Sequence, residues 1–212
     1  MTITSILPSP HKPGRFEVVV DDRLAATLSI DAIERLKLAT GGALDEATAA
    51  AIQREAALLD TYDRALNMLA ARPRSAAELR RLLVRKGEPA DQVDAAIQRL
   101  TGAGFLDDAS FARQFARSKA LGAGLSRRRL QQELARRGVA RATADDAVVD
   151  VFAEEGIDEQ AAIERVAAKK LKTLARLDPQ VQRRRLYAFL ARRGYDSDDI
   201  ARVVRTLAGA GN

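Results

Sequence analysis

A short cationic segment ending in glycine occurs three times and limits what this chain can fold into. Leu134-Ala135-Arg136-Arg137-Gly138 returns as Leu190-Ala191-Arg192-Arg193-Gly194, and a looser copy stands earlier as Leu83-Val84-Arg85-Lys86-Gly87. Each copy has the chemistry of a helix end. Cations in the last turn oppose the negative end of the helix dipole, and glycine takes the left-handed conformation that closes the helix. Gly87, Gly138 and Gly194 are therefore expected as C-terminal caps.

The flanks show that the copies belong to a repeat. Leu79, Leu130 and Leu186 stand eight residues before each glycine, and Leu83, Leu134 and Leu190 four before. Val93, Ala144 and Ile200 follow at six, Ile97, Val148 and Val204 at ten, and Leu100, Val151 and Leu207 at thirteen. Such spacing places one apolar stripe on a helix before the glycine and another on a helix after it. Upstream, Asp60, Asp107 and Asp158 each follow an apolar residue and suit the N-cap of a further helix. Ser75 and Ser126 hold the same offset before their leucines and suit the cap of the middle helix. The unit is three helices, and the glycines lie 51 and 56 residues apart. A period of that size indicates tandem units that bury faces against one another.

The expected fold is mainly α: three tandem three-helix repeats forming an elongated array, preceded by a small β-rich N-terminal module. The module covers 1–43. It has a strand near 2–7, a proline-rich loop through Gly14, a hairpin turning at Asp21-Asp22, and a short helix capped by Ser29 or Asp31 and ended by Gly41-Gly42. A connecting helix covers 44–59; with the first repeat helix it reads either as one long helix through Ala71 or as two in line, broken near Asp60. The repeats cover 60–104, 105–156 and 157–209. Pro89 fits the first turn of a helix, Leu121–Gly124 reads as a loop, Asp178-Pro179 opens a helix, and Gly209–Asn212 reads as frayed.

Charge narrows the function. The net charge is +6 and the isoelectric point about 10.0, unevenly distributed: residues 1–58 carry −2 and residues 59–212 carry +8. Clustered arginine at such a balance is the footprint of a polyanion or nucleoprotein partner. There is no Cys and one His, His11, in a loop; no Walker loop, HExxH or Gly-x-Ser-x-Gly stands anywhere. No catalytic, cofactor-binding or metal-ligating residues are expected. No apolar run approaches the roughly 20 residues of a membrane span, and the N-terminus lacks a signal-peptide layout. A cytoplasmic protein without membrane contact is the expectation.

At the second repeat a family resemblance enters. Gly104-Phe105-Leu106-Asp107-Asp108, then Phe111-Ala112, then Arg129-Leu130, Glu133-Leu134 and Arg137-Gly138-Val139 resemble the signature of the RecX family. The resemblance covers about 60–208, and 3–55 resembles the N-terminal extension of longer members. It implies a regulator rather than an enzyme, one that binds the RecA recombinase filament on single-stranded DNA. It also implies inhibition of filament extension, ATP hydrolysis and recombinase or co-protease activity. DNA repair, recombination and the SOS response would be modulated in consequence. The mode implied is an array lying in the filament groove, and a monomer is the simpler expectation.

The candidate filament or polyanion contacts are Arg127, Arg128, Arg129, Arg136 and Arg137 in the second repeat. In the third they are Lys169, Lys170, Lys172, Arg183, Arg184 and Arg185. Arg136 and Arg137 are more simply read as cations at a helix end. Arg127–Arg129 open a helix, where cations oppose the dipole, so contact with a partner is their favoured reading, and Arg128 is placed nearest the core-facing Leu130. Phe111 and Phe115 read as core, whereas Tyr187 and Tyr195 are the aromatics suited to base stacking. Asp107-Asp108 reads as a cap rather than a metal pair. The competing function is a helix-turn-helix reader of duplex DNA, which the acidic starts of the third helices, at Asp91–Asp94 and Thr143–Asp146, disfavour.

Overall fold

A computed structural model describes residues 1–209. Three strands open the chain: β1 (Ile3–Pro8), β2 (Arg15–Val20) and β3 (Arg23–Ser29), antiparallel in the order β1-β2-β3. Asp21 and Asp22 both have positive φ, 47° and 60°, as a two-residue hairpin whose twist matches its strands requires. Ser29 caps α1 (Ile30–Arg35) by accepting from Ala32 N–H. The helix stops well short of Gly41-Gly42, because Lys37 turns left-handed at φ 53°.

One uninterrupted helix, α2 (Glu46–Ala71), follows, capped by Asp45. Of the two readings the single long helix is the one formed, and Asp60, expected as an N-cap, caps nothing. Its carboxylate instead accepts from Lys12 Nζ at 2.8 Å, while Arg15 pairs with Asp63 at 2.8 Å. Those pairs tie the loop before β2 to the middle of α2. The first half of α2 buries Ile52 and Leu59 in the core of the β-module, with Val18 and Leu28. Its second half packs on α4 (Ala90–Gly102). Between them runs α3 (Ala76–Arg85). Pro89 is the N-cap of α4 rather than its first helical residue.

The second repeat is α5 (Asp108–Ala123), α6 (Arg127–Arg137) and α7 (Arg141–Glu154); the third is α8 (Glu159–Leu174), α9 (Pro179–Arg192) and α10 (Ser197–Gly209). Asp107, Ser126, Asp158 and Asp178 cap α5, α6, α8 and α9 with their side chains. The stretch 121–124 is not a loop: α5 continues through Ala123 and Gly124 closes it. The fraying expected at the C-terminus has not begun at Gly209, and 210–212 lie outside the described residues.

The leucine pairs organise the core. Leu79, Leu83, Leu130, Leu134, Leu186 and Leu190 are all fully buried. The chain divides into two compact units. One holds Met1–Pro73 with Leu79–Leu106, and the other holds Arg74–Glu78 with everything from Asp107. The second and third repeats thus share one unit, and their junction is well defined.

Candidate functional site

The repeats of the second unit are joined by a device that recurs. Ser126, which caps α6, donates its own N–H to Arg193 O, at the end of α9, at 3.1 Å. The preceding middle helix meets the equivalent carbonyl with its cap's side chain instead, Ser75 Oγ donating to Arg137 O at 2.6 Å. A helix C-terminus therefore meets a helix N-terminus, opposite ends of two dipoles. A carboxylate completes each joint. Asp108 Oδ1 accepts from Ala76 N at 2.8 Å, and Glu159 Oε1 from Arg127 N at 3.1 Å. Each follows directly on an N-cap, Asp107 or Asp158. The first acid of the pair caps its own helix and the second caps the middle helix of the preceding repeat.

This joint changes the standing of several basic residues. Arg127 is not free: its guanidinium lies 4.3 Å from the Phe152 ring centroid and 3.7 Å from Glu159. Arg129 pairs with Glu133 at 2.7 Å, and Arg136 approaches the same carboxylate at 3.5 Å. Arg137 lies over Phe115, 4.7 Å from its centroid. Arg127–Arg129 stand at a helix start, where cations oppose the dipole; within the fold Glu159 answers Arg127 and Glu133 answers Arg129. Of the three, Arg128 is the exposed one, contrary to its expected place nearest Leu130.

The third repeat is different. Residues 165–195 contain ten Lys or Arg and a single acid, Asp178. That acid is committed to capping α9. Arg183, Arg184 and Arg185 are exposed, as are Lys169 and Lys172, and no carboxylate among the described residues meets any of them. Lys170 leans over Phe189, 5.3 Å from its centroid. By contrast, two of the three cations of α5 are neutralised, Arg113 by Asp150 at 2.5 Å and Arg117 by Glu154 and Glu155 at 2.7 and 2.6 Å, while Lys119 faces the Phe115 ring. Uncompensated charge is concentrated on α8 and α9.

Further cations belong to this group. Arg165, Lys169 and Lys172 on α8 and Arg176 in the turn just past its end follow one another at intervals of four, three and four, all exposed. That spacing is one helical face and was available in the sequence; attention to runs of adjacent cations passes over it. Arg193 is the other addition. It lies 3.7 Å from the Phe189 centroid and donates Nε–H to Ala123 O at 2.9 Å. Burial lowers its pKa below the usual arginine range; the field of Tyr195 opposes this and neighbouring Arg192 adds to it.

Tyr195 is buried, and its hydroxyl donates to Gly124 O at 3.1 Å, so it is part of the joint and not a stacking platform. Its pKa is raised to about 12, chiefly by burial. Tyr187 is 41% exposed and follows Arg183 by one turn. Phe111 and Phe115 pack against the second-repeat core, as expected.

Among the described residues no helix is long and apolar enough to cross a membrane. Family models for the first, second and third three-helix domains of RecX match 62–100, 107–148 and 158–204. A regulatory protein RecX from Mycobacterium avium is 40% identical over 144 residues, covering 66% of this chain and 79% of that one. One from Levilactobacillus brevis is 28% identical over 207 residues, covering 98% and 77%. A crystal structure of a regulatory protein RecX superposes with a TM-score of 0.76 at 20% identity, covering 99% of this chain and 98% of that one.

Proposed function

We propose, from the premise that the chain belongs to the RecX family, that it regulates the RecA recombinase filament on single-stranded DNA. In this reading it is a cytoplasmic binding protein without catalytic activity. It obstructs filament extension, and thereby ATP hydrolysis, strand exchange and co-protease activity. DNA repair, recombination and the SOS response are modulated as a result.

The observation that carries the reading is the uncompensated charge of α8 and α9. A fold that neutralises Arg113, Arg117, Arg127 and Arg129 with its own carboxylates leaves Arg183–Arg185 with none. Exposed guanidinium groups in series suit phosphates or an acidic protein groove. Arg128 is the second-repeat residue free to join them.

The test is charge reversal at the free cations. R183E/R184E/R185E, with or without R128E, is expected to lower inhibition of RecA-dependent strand exchange by at least tenfold while circular dichroism and thermal unfolding stay near wild type. Unchanged inhibition would remove these residues from the mechanism. R127E and R129E are poor probes, since each also breaks an internal ion pair. Direct duplex reading is the weaker alternative, since α10 opens with Asp198 and Asp199 in its first turn.

A further inference from the structure

Between the end of α5 and the facing sides of α8 and α9 lies a pocket of about 320 Å³. Arg165, Lys169 and Lys170 line it from α8, and Arg193 from just beyond α9; Phe189 and Thr173 complete the part that matters here. No Asp or Glu lines it. Arg193 is the informative member. Its Nε is committed to Ala123 O and its plane to the Phe189 ring, yet no carboxylate among the described residues meets the guanidinium. A partly buried charge without a counter-ion is unfavourable unless something else supplies one. Lys170 leans over the same ring and adds a second cation at the same wall. Four cations converge on one concavity.

We propose that this pocket binds a phosphate group. A carboxylate is planar and singly charged, and one arginine fork satisfies it. Cations arriving from two elements, as point-like ammonium groups and guanidinium forks together, suit a tetrahedral oxyanion approached from several sides. The volume exceeds that of a bare phosphate and leaves room for the rest of a phosphate ester. The phosphodiester of a single strand and the phosphates of a free nucleotide carry the same chemistry. This inference goes beyond filament regulation and is tested on the protein alone, so failure of either leaves the other standing.

The experiment uses the full chain with three probes in 50 mM salt: a fluorescein-labelled oligothymidylate, ATP, and poly-glutamate. Arg165 and Lys169 are exposed, so R165Q/K169Q perturbs the fold little. It is expected to weaken phosphate-probe binding roughly tenfold and to flatten the salt dependence on oligothymidylate by about 1.4 in log–log slope, two lost contacts at ~0.7 each. K170Q is expected to weaken it in the same direction, and R183Q/R184Q, outside the pocket, much less. Oligothymidylate binding that ATP does not displace assigns the strand as source, whereas matched ATP affinity with full displacement assigns a free nucleotide. Three results would overturn the proposal: equal binding by R165Q/K169Q and wild type, no binding of either phosphate probe, or poly-glutamate alone binding through these residues. An equal loss in R183Q/R184Q would also overturn it, since binding would then follow net charge rather than the pocket.

Discussion

Gly194 and Gly87 occupy the same place in the repeat and carry different demands. Both are left-handed, with φ 86° and 93°. A Cβ at Gly87 would meet open space, whereas at Gly194 it would stand 2.5 Å from Arg129 Cβ and 2.7 Å from Ser126 Oγ. G87A is therefore expected to destabilise by about 1–2 kcal/mol, the backbone cost alone. G194A adds overpacking of the joint, for a total of about 2–5 kcal/mol. Urea unfolding of the two variants checks this, and equal losses would contradict the packing argument. The cations before each glycine and the leucine stripe mark the helix ends, but the cap itself varies. Gly138 is the C-cap of α6, whereas α9 is capped by Arg193, one residue before Gly194, and α3 ends at Arg85, two before Gly87. That Gly194 also seats a neighbouring helix was not legible, because the contact joins residues over 60 positions apart.

Tyr195 supplies a second test at this scale. Its folded pKa, about 12, is above the ordinary value of 10.0 because burial disfavours the phenolate. The folded state thus holds the proton more tightly. The contribution is complete below pH 10 and is lost as pH rises from about 10 towards 12. Y195F is expected to cost about 1–2 kcal/mol at neutral pH, since Gly124 O loses its buried donor. It should also remove part of the alkaline decline. Urea midpoints at pH 8 and pH 11 for both proteins measure it, and an identical alkaline decline would show that Tyr195 does not carry it.

At the scale of elements, the paired acids at the start of a repeat are the connecting device. Asp107 and Asp158 were readable as caps, but Asp108 and Glu159 were not readable as partners of a preceding helix. Their amide partners, Ala76 and Arg127, are 32 residues upstream in both cases. The constancy of that interval is the signal that marks the joint. The same logic explains the misread Asp60. It is followed by Thr61 rather than an acid, and the salt bridges of Lys12 and Arg15 with Asp60 and Asp63 belong to α2 as one continuous rod. E159Q is expected to destabilise by about 0.5–1 kcal/mol at low salt, combining the helix-terminus charge with a half-exposed ion pair. Most of that difference should vanish in 1 M NaCl. A salt-independent loss would point to the hydrogen bond to Arg127 N instead.

At the scale of the whole molecule, the repeats divide the labour of charge. The second repeat commits most of its arginines to acids and rings of the fold, whereas α8 and α9 of the third leave most of theirs without a carboxylate among the described residues. Composition revealed the excess of +8 beyond residue 58, but not which cations are spare, since that depends on which carboxylates fold against them. Arg127 and Arg129 illustrate the loss, Arg165 and Arg193 the gain. The central claim is that this chain acts on a filament rather than as a reader of naked duplex DNA. Its most direct test is RecA-dependent ATP hydrolysis on single-stranded DNA, with the protein titrated well below one per recombinase protomer. Inhibition at such ratios, abolished in R183E/R184E/R185E, is the predicted result. Full ATPase activity at every ratio, with tight binding to naked duplex DNA, would contradict it.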